Sequence, residues 1–270
     1  MESTVNGVPV HFVDHGDGTP VLALHGVGVD HREIAGCLEP VFADRRGYRR
    51  IYPDLPGMGR TPTPETVTSN DDVVELLLGL VDALIGGGPF LVVGQSYGGY
   101  LAQAIANRRP GQAVGLALIC PLLGGAAGEA PRPEHVVLHA SGGLDRVLDP
   151  AQEAEFRDYF VVQTPEMLRR FQDYVAPGMA LTDQAGLERI FQRWELPTTP
   201  EQGEEYANPA LILVGRQDAT VGYAGAWRLL EHYPRATFAV LDRAGHALPH
   251  EQQGLLAALV GEWLDRCRPA

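Results

Sequence analysis

Apolar and polar residues follow two alternating patterns along this chain, one typical of strands and the other of amphipathic helices. Short, uninterrupted apolar runs that end at turn-forming residues predict strands at residues 21–24, 49–52, 90–93, 114–119, 209–214 and 237–241. Helical spacing of apolar residues predicts helices at residues 73–84, 99–108 and 255–264. Strands that are apolar throughout have both faces covered, so the pattern predicts an α/β fold with a mostly parallel central sheet.

The first residues of the chain depart from this scheme. Asn6 and Gly7 separate the stretches 3–5 and 8–13, and Asn-Gly is a favoured two-residue hairpin turn. We therefore expect an antiparallel hairpin at one edge of the sheet.

Residues 122–205 interrupt the alternation of strands and helices. This segment opens with a stretch rich in glycine, alanine and proline, and no strand is predicted in it. Helix-like stretches follow at residues 150–162, 165–175 and 183–194. We expect a helical cap, or lid, inserted into a core made of residues 1–121 and 206–270. The alternative is an excursion that only packs on the surface. The strands that flank the insertion should be neighbours in the sheet, or nearly so.

Composition excludes several classes of function. A formal net charge of −13 opposes binding to nucleic acids and to anionic membranes. All 21 basic residues are arginine, which excludes a Schiff-base lysine, a pyridoxal phosphate anchor, a phosphate-loop lysine and a Ser-Lys dyad. No apolar run approaches the roughly 18 residues that span a membrane. The N-terminal stretch has no basic region or apolar signal segment, so a cytoplasmic location is expected.

Metal and disulfide chemistry have no support in the sequence. The three cysteines, Cys37, Cys120 and Cys267, are widely spaced and odd in number, which predicts neither a disulfide framework nor a zinc site. The spacing of histidines and carboxylates predicts no other metal site.

One serine stands between glycines directly after a predicted strand, in the stretch Gly94-Gln95-Ser96-Tyr97-Gly98. Sites in parallel sheets form beyond the carboxyl ends of the strands. A sharp strand-to-helix turn lifts the serine above the sheet, and side chains at positions 94 and 98 would collide with the neighbouring strand and helix. The pattern predicts a nucleophile at Ser96, close to backbone N–H groups that can face a developing oxyanion.

A serine nucleophile needs a base, and the base needs an orienting acid. His246 and Asp218 each follow a predicted strand, which brings both to the edge of the sheet where Ser96 lies. Asp242 is the alternative acid. Packing or surface roles are expected for His135 and His139 in the insertion, and His250 and Glu251 are expected to begin the last helix.

The chain resembles the α/β-hydrolase family over essentially its whole length. The resemblance rests on the order Ser96, Asp218, His246 and on the stretches Leu24-His25-Gly26, Asp54-Leu55-Pro56-Gly57-Met58-Gly59-Arg60, Gly215-Arg216-Gln217-Asp218 and Gly245-His246.

The resemblance implies a role for each of these residues. Ser96 is the implied nucleophile, His246 the base and then acid, and Asp218 the orienting carboxylate. The backbone N–H groups of Val27 and Tyr97 form the implied oxyanion hole. His25 and Asp54 hold loops, and no cofactor is required.

The implied function is a serine hydrolase that cleaves a small-molecule ester or a related acyl bond through an acyl-enzyme. Similar proteins have other functions, so four alternatives stay open: a slow-turnover ligand sensor, an aminopeptidase, a cofactor-free haloperoxidase and a carbon–carbon bond hydrolase.

Carbon–carbon hydrolysis of a dioxo acid calls for cationic contacts to a carboxylate. Seven arginines of the insertion could supply them: Arg132, Arg146, Arg157, Arg169, Arg170, Arg189 and Arg193. Six aromatic residues could wall the pocket: Phe156, Phe160, Phe171, Tyr174, Phe191 and Trp194.

Overall fold

The computed structural model describes residues 1–142, 144, 148–199 and 203–268. Its strands are β1 (Glu2–Val5), β2 (Val8–His15), β3 (Thr19–Leu24), β4 (Tyr48–Pro53), β5 (Phe90–Gln95), β6 (Ala113–Ile119), β7 (His139–Ala140), β8 (Val162–Gln163), β9 (Ala210–Gly215) and β10 (Ala236–Leu241). Eight of them form one sheet in the order β1-β2-β4-β3-β5-β6-β9-β10.

The sheet is parallel from β4 to β10 and antiparallel at its first edge. Asn6 and Gly7 turn between β1 and β2 with positive φ angles of 50° and 81°, so the expected hairpin is confirmed. The strands on either side of residues 122–205 are direct neighbours, with Leu116 of β6 opposite Ala210 of β9. The predicted α/β class and the predicted neighbour relation are therefore both confirmed.

Helices cover both faces of this sheet. They are α1 (His31–Phe42), α2 (Asn70–Leu84), α3 (Tyr97–Arg108), α4 (Gly125–Gly128), α5 (Pro150–Tyr159), α6 (Pro165–Arg170), α7 (Ala176–Met179), α8 (Gln184–Phe191), α9 (Leu248–Glu251) and α10 (Gln253–Arg266). A π-helical turn at Phe171–Val175 joins α6 to α7, and Gly225–Glu231 form a 3₁₀ helix. None of the helices in the described part of the chain is both long and apolar enough to cross a membrane.

Alternate residues of β3 show how the two faces are filled. Leu22 and Leu24 pack in the cluster that includes α2 and α3, whereas Val21 and Ala23 pack against α1 and α10. All four side chains are buried, as expected for a strand between two helical layers.

Helix α1 was not predicted. Its buried residues Ile34, Cys37, Leu38 and Val41 recur at helical spacing, and the Asp30 carboxylate caps its first turn by accepting from the Arg32 N–H at 3.0 Å. The signal was therefore present.

Residues 122–205 contain α4 to α8 and a two-residue parallel ladder between β7 and β8. The prediction that this segment holds no strand is wrong at this ladder, which is too short to create an alternating pattern. The segment also packs on the rest of the chain, since Leu187 and Ile190 of α8 join the cluster that contains α2 and α3.

Trp263 offers a test of the packing of α10. Its side chain is fully buried, and its indole N–H donates to the Pro209 carbonyl at 3.2 Å. We expect Trp263→Ala to lower the free energy of unfolding by about 3–5 kcal/mol in urea denaturation. Leu255→Ala is the matched control, because Leu255 lies on the same helix with 48% of its surface exposed, and it should change stability by less than about 0.5 kcal/mol. Equal unfolding midpoints would contradict this packing.

Candidate active site

Ser96 sits in a strained turn between β5 and α3. Its φ and ψ angles are 52° and −119°, a conformation that L-residues seldom adopt and that costs on the order of 1–3 kcal/mol. The glycines beside it permit the close packing. A Cβ at Gly94 would lie 2.1 Å from the Gly98 carbonyl oxygen, and a Cβ at Gly98 would lie 2.3 Å from the Leu24 carbonyl oxygen. The collisions expected from the sequence are thus real.

Three strand ends bring Ser96, His246 and Asp218 together. His246 Nε2 lies 2.9 Å from Ser96 Oγ, and His246 Nδ1 lies 2.9 Å from Asp218 Oδ2. The other carboxylate oxygen of Asp218 accepts from the N–H groups of Thr220 and Val221, at 2.9 Å each. These bonds fix the carboxylate and aim the imidazole ring at the serine, the arrangement that a serine nucleophile and its base require.

The electrostatics of the pair favour a charged imidazole. Burial alone would raise the pKa of Asp218, but the charge of His246 and the hydrogen bonds to the carboxylate outweigh it and leave that pKa below its usual value. Burial lowers the pKa of His246, whereas the Asp218 charge and hydrogen bond, with smaller contributions from Glu33 and Glu251, raise it above 6.5 in total.

The other candidates lie elsewhere or hold loops. Asp242 is exposed, and its nearest side-chain partner is the Gln217 amide at 3.5 Å. His135 and His139 are both exposed. His25 accepts from the Leu55 N–H at 3.0 Å through Nε2, and its Nδ1 is 2.7 Å from the Gly26 carbonyl oxygen.

Asp54 is the centre of a loop rather than a free acid. Its carboxylate accepts hydrogen bonds from the backbone N–H groups of His31 and Arg60. The Nδ1 atoms of His11 and His31 also lie within hydrogen-bond distance, and all four distances are 2.7–3.0 Å. These contacts tie the loop after β4 to the start of α1.

The two backbone N–H groups expected to stabilise an oxyanion belong to Tyr97, which follows Ser96, and to Val27. Tyr97 is the first residue of α3, so its N–H has no partner within the helix. Val27 lines the cavity in front of Ser96. Their role as an oxyanion hole stays a prediction.

A cavity of about 220 Å³ opens in front of Ser96 and is called the Ser96 cavity below. Of the six aromatic residues expected to form walls, Phe171 lines it. The others pack elsewhere: Phe156 and Phe160 on each other, Tyr174 on His250, and Phe191 and Trp194 on the tyrosines of α3. The sequence missed the remaining wall residues of the 122–205 segment, which are Glu155, Tyr159, Val175 and Met179.

No described arginine of the 122–205 segment is among the residues that line the Ser96 cavity. Arg170 donates to His250, Arg189 to the carbonyls of residues 63, 64 and 67, and Arg193 to Thr68. Arg132 lines a separate surface cleft. Arg146 lies outside the described residues. Glu155 is the acidic side chain among the described lining residues.

Polar side chains near the site were also missed. The expectation that His250 and Glu251 begin the last helix is wrong, because they end the short helix α9 before α10 starts at Gln253. His250 is buried, 3.5 Å from the Glu33 carboxylate. An acidic residue on an otherwise apolar face of α1 was the signal for Glu33.

Three groups of side chains in the described chain have ligand atoms close enough for a metal ion: His11-His31-Asp54, Glu33-Cys37-His250 and Cys120-Asp218-His246. Hydrogen bonds already occupy Asp54 and Asp218, as described above. In the remaining group the Arg170 guanidinium lies 3.2 Å from His250 Nδ1 and 3.6 Å from Cys37 Sγ, so a cation is already present there.

Comparison with known proteins gives consistent matches. The profile of the alpha/beta hydrolase family matches residues 21–259. A 2-hydroxy-6-oxononadienedioate/2-hydroxy-6-oxononatrienedioate hydrolase from Burkholderia vietnamiensis is 30% identical, over 95% of this chain and 91% of its own. A 2-hydroxymuconate semialdehyde hydrolase from Pseudomonas sp. strain CF600 is 29% identical, over 96% and 91%. The crystal structure of an alpha/beta superfamily hydrolase from Oenococcus oeni superposes with a TM-score of 0.90 at 28% identity and covers 99% of both chains.

The raised pKa of His246 can be measured directly. We expect the imidazole to titrate above 6.5 in an NMR pH titration, because Asp218 stabilises the protonated ring. Asp218→Asn removes that charge, so the pKa of His246 should fall below the wild-type value. Asp242→Asn is the control and should leave it unchanged. A pKa that does not respond to Asp218→Asn would contradict the pairing.

Proposed function

The chain belongs to the alpha/beta hydrolase family, and we propose that it hydrolyses a carbon–carbon bond beside an aldehyde or ketone carbonyl of a small-molecule substrate. Ser96 is the proposed nucleophile, His246 the proposed base and then acid, and Asp218 the carboxylate that orients His246. The observation that carries the proposal is the hydrogen-bonded series from Ser96 Oγ through His246 to Asp218, with 2.9 Å at each step.

The relatives support the choice of bond. The Burkholderia and Pseudomonas proteins are named for hydroxy-oxo acids and a semialdehyde, and these names contain no ester or amide. Hydrolysis of such a compound has to divide its carbon chain. Carbon–carbon hydrolysis, an alternative at the level of the sequence, therefore replaces ester hydrolysis as the main proposal.

The proposed mechanism starts with attack on the aldehyde or ketone carbonyl. His246 takes the proton of Ser96 as Oγ bonds to the carbonyl carbon, and the carbonyl oxygen becomes an oxyanion. The backbone N–H groups of Tyr97 and Val27 are the proposed donors to it, and loss of one such donor costs ~10²–10³ in rate in other enzymes.

Collapse of the oxyanion breaks the carbon–carbon bond. The substrate has to react as its 2-keto tautomer, in which the proton of the 2-hydroxyl group has moved to the carbon that will leave. The bonding electrons then stay on that carbon, the conjugated 2-keto carbonyl stabilises them as an enolate, and His246 returns the proton. Water then attacks the acyl-enzyme with His246 again as base, which releases the carboxylic acid and restores Ser96. The acid limb of kcat/KM should follow the pKa of His246, because the ring must be neutral to accept the proton.

The 122–205 segment is the proposed cap that selects the substrate. It supplies Tyr159, Phe171, Val175 and Met179 to the Ser96 cavity. Without these residues the cavity would lack this wall. Pockets that bury a small ligand need such walls.

A second candidate is hydrolysis of uncharged esters. Glu155 is the acidic group among the described lining residues of the cavity, and its carboxylate would repel the carboxylate of a dioxo acid. The same Ser96, His246 and Asp218 would act on an ester carbonyl, with an alkoxide as the leaving group.

Ser96→Ala tests the nucleophile. Without Oγ no acyl-enzyme can form, so we expect kcat to fall by at least about 10³-fold while the circular dichroism spectrum and thermal unfolding stay close to those of the parent. Near-normal turnover by a folded Ser96→Ala protein would disprove the role of Ser96.

Substrate ranking tests the bond type. We expect loss of the dienoate absorbance of 2-hydroxymuconate semialdehyde with kcat/KM of at least about 10⁴ M⁻¹s⁻¹, and slower turnover of 4-nitrophenyl acetate and butyrate. Ester turnover without dienoate cleavage would favour the second candidate. One equivalent of nitrophenol per enzyme, followed by no turnover of either class, would instead favour a ligand sensor.

A further inference from the structure

Glu251 is a partly buried carboxylate that the proposed mechanism does not use. Its Oε1 accepts the backbone N–H groups of Val161 and Val162 at 2.7 and 2.9 Å, and its Oε2 accepts the Gly245 N–H at 2.7 Å. Hydrogen bonds to an ionised acceptor are short and about twice as strong as neutral ones. Both oxygens of one side chain are thus bonded to two separate parts of the chain.

Each of these parts contributes to the site. Val161 and Val162 follow Tyr159, whose ring lines the Ser96 cavity and stands edge-on to His246, with the ring centroids 6.1 Å apart. Gly245 directly precedes His246. The two parts are also in close contact, because a Cβ at Gly245 would lie 2.9 Å from Val161 Cγ1. One carboxylate therefore bridges the cavity wall and the loop that carries the histidine.

We propose that Glu251 is a positioning residue that holds the Gly245-His246 loop and the Tyr159 wall in one fixed relation. His246 then stays between Ser96 and Asp218, and Tyr159 stays beside the carbonyl that reacts. This inference rests on the proposed role of His246. Displacement of a reacting group by about 1 Å can cost 10²-fold in rate, so a bridge at this point affects kcat itself.

Charge gives the bridge a second measurable effect. Five titratable side chains lie near the His246 ring or act on it electrostatically. They are Asp218, Glu33, Cys120, Tyr159 and Glu251. Burial raises the pKa of Glu251 although its three N–H donors oppose the change, and in its ionised form Glu251 helps to raise the pKa of His246. Loss of that charge should move the acid limb of kcat/KM to lower pH, a change that loosened packing alone would not produce.

The chain contains a matched control for this bridge. Arg170 also ties the 122–205 segment to the region after His246, by donating to His250 Nδ1 at 3.2 Å and to Gln253 Oε1 at 3.0 Å. It makes no contact with Gly245 among the described hydrogen bonds. Arg170→Gln therefore cuts a comparable tie and leaves the bridge at Glu251 intact.

The experiment compares Glu251→Gln, Glu251→Asp and Arg170→Gln, with kcat expressed per active site titrated by a fluorophosphonate. Gln keeps the shape but presents an NH₂ group to one of the backbone donors, whereas Asp keeps the charge but is shorter. We expect kcat to fall about ten- to hundredfold in both Glu251 variants, and the acid limb to move to lower pH in Glu251→Gln alone. Arg170→Gln should keep kcat within about threefold of the parent and keep the acid limb, while KM for bulky substrates changes.

Two results would overturn the inference. One is parental kcat per titrated site and a parental acid limb in whichever Glu251 variant folds. The other is that Arg170→Gln reproduces the changes of Glu251→Gln, which would reduce the effect to general loosening. Ser96→Ala, with its turnover expressed per total folded protein because it has no serine to titrate, keeps the two proposals apart. Activity in that variant disproves the proposed function, whereas its inactivity beside fully active Glu251 variants disproves only the positioning role.

Discussion

The close approach of three backbone segments around Ser96 is the constraint on which the site depends. The end of β3, the turn at Ser96 and the start of α3 lie so near one another that Gly94 and Gly98 have no space for a Cβ. That packing holds Ser96 in a conformation it would not otherwise adopt. The buried packing of β5 and its neighbouring strands offsets the cost of this conformation.

The same parallel sheet explains why three distant stretches of sequence meet. Ser96, Asp218 and His246 each follow a strand that runs in the same direction, so all three leave the sheet at one edge. Asp218 is neutralised locally by two backbone N–H groups and by His246, and that balance keeps a buried carboxylate ionised. The charge of Asp218 and its hydrogen bond to the ring in turn raise the pKa of His246.

Local signals were sufficient for the sheet, the hairpin and the three polar residues of the site, because each depends on residues adjacent in sequence. The Ser96 turn, for example, is predicted from five consecutive residues. The cavity walls were not predictable in the same way. Phe171 and Trp194 are equally aromatic, yet only Phe171 faces the cavity, and the difference is set by how α6 to α8 dock on the core. The bridge at Glu251 was missed for a related reason, since all its partners are backbone groups and leave no trace in side-chain chemistry.

The π-helical turn between α6 and α7 has a consequence for how such a pocket can change over evolution. Its hydrogen bonds enclose one more residue than those of an α-helix, and Phe171 and Val175 at its ends, together with Met179 beyond it, all line the cavity. Loss of a single residue there would restore regular helix and rotate Met179 by about 100° around the axis. A one-codon deletion could thus change the size of substrate that the cavity accepts and leave Ser96, Asp218, His246 and the whole sheet in place.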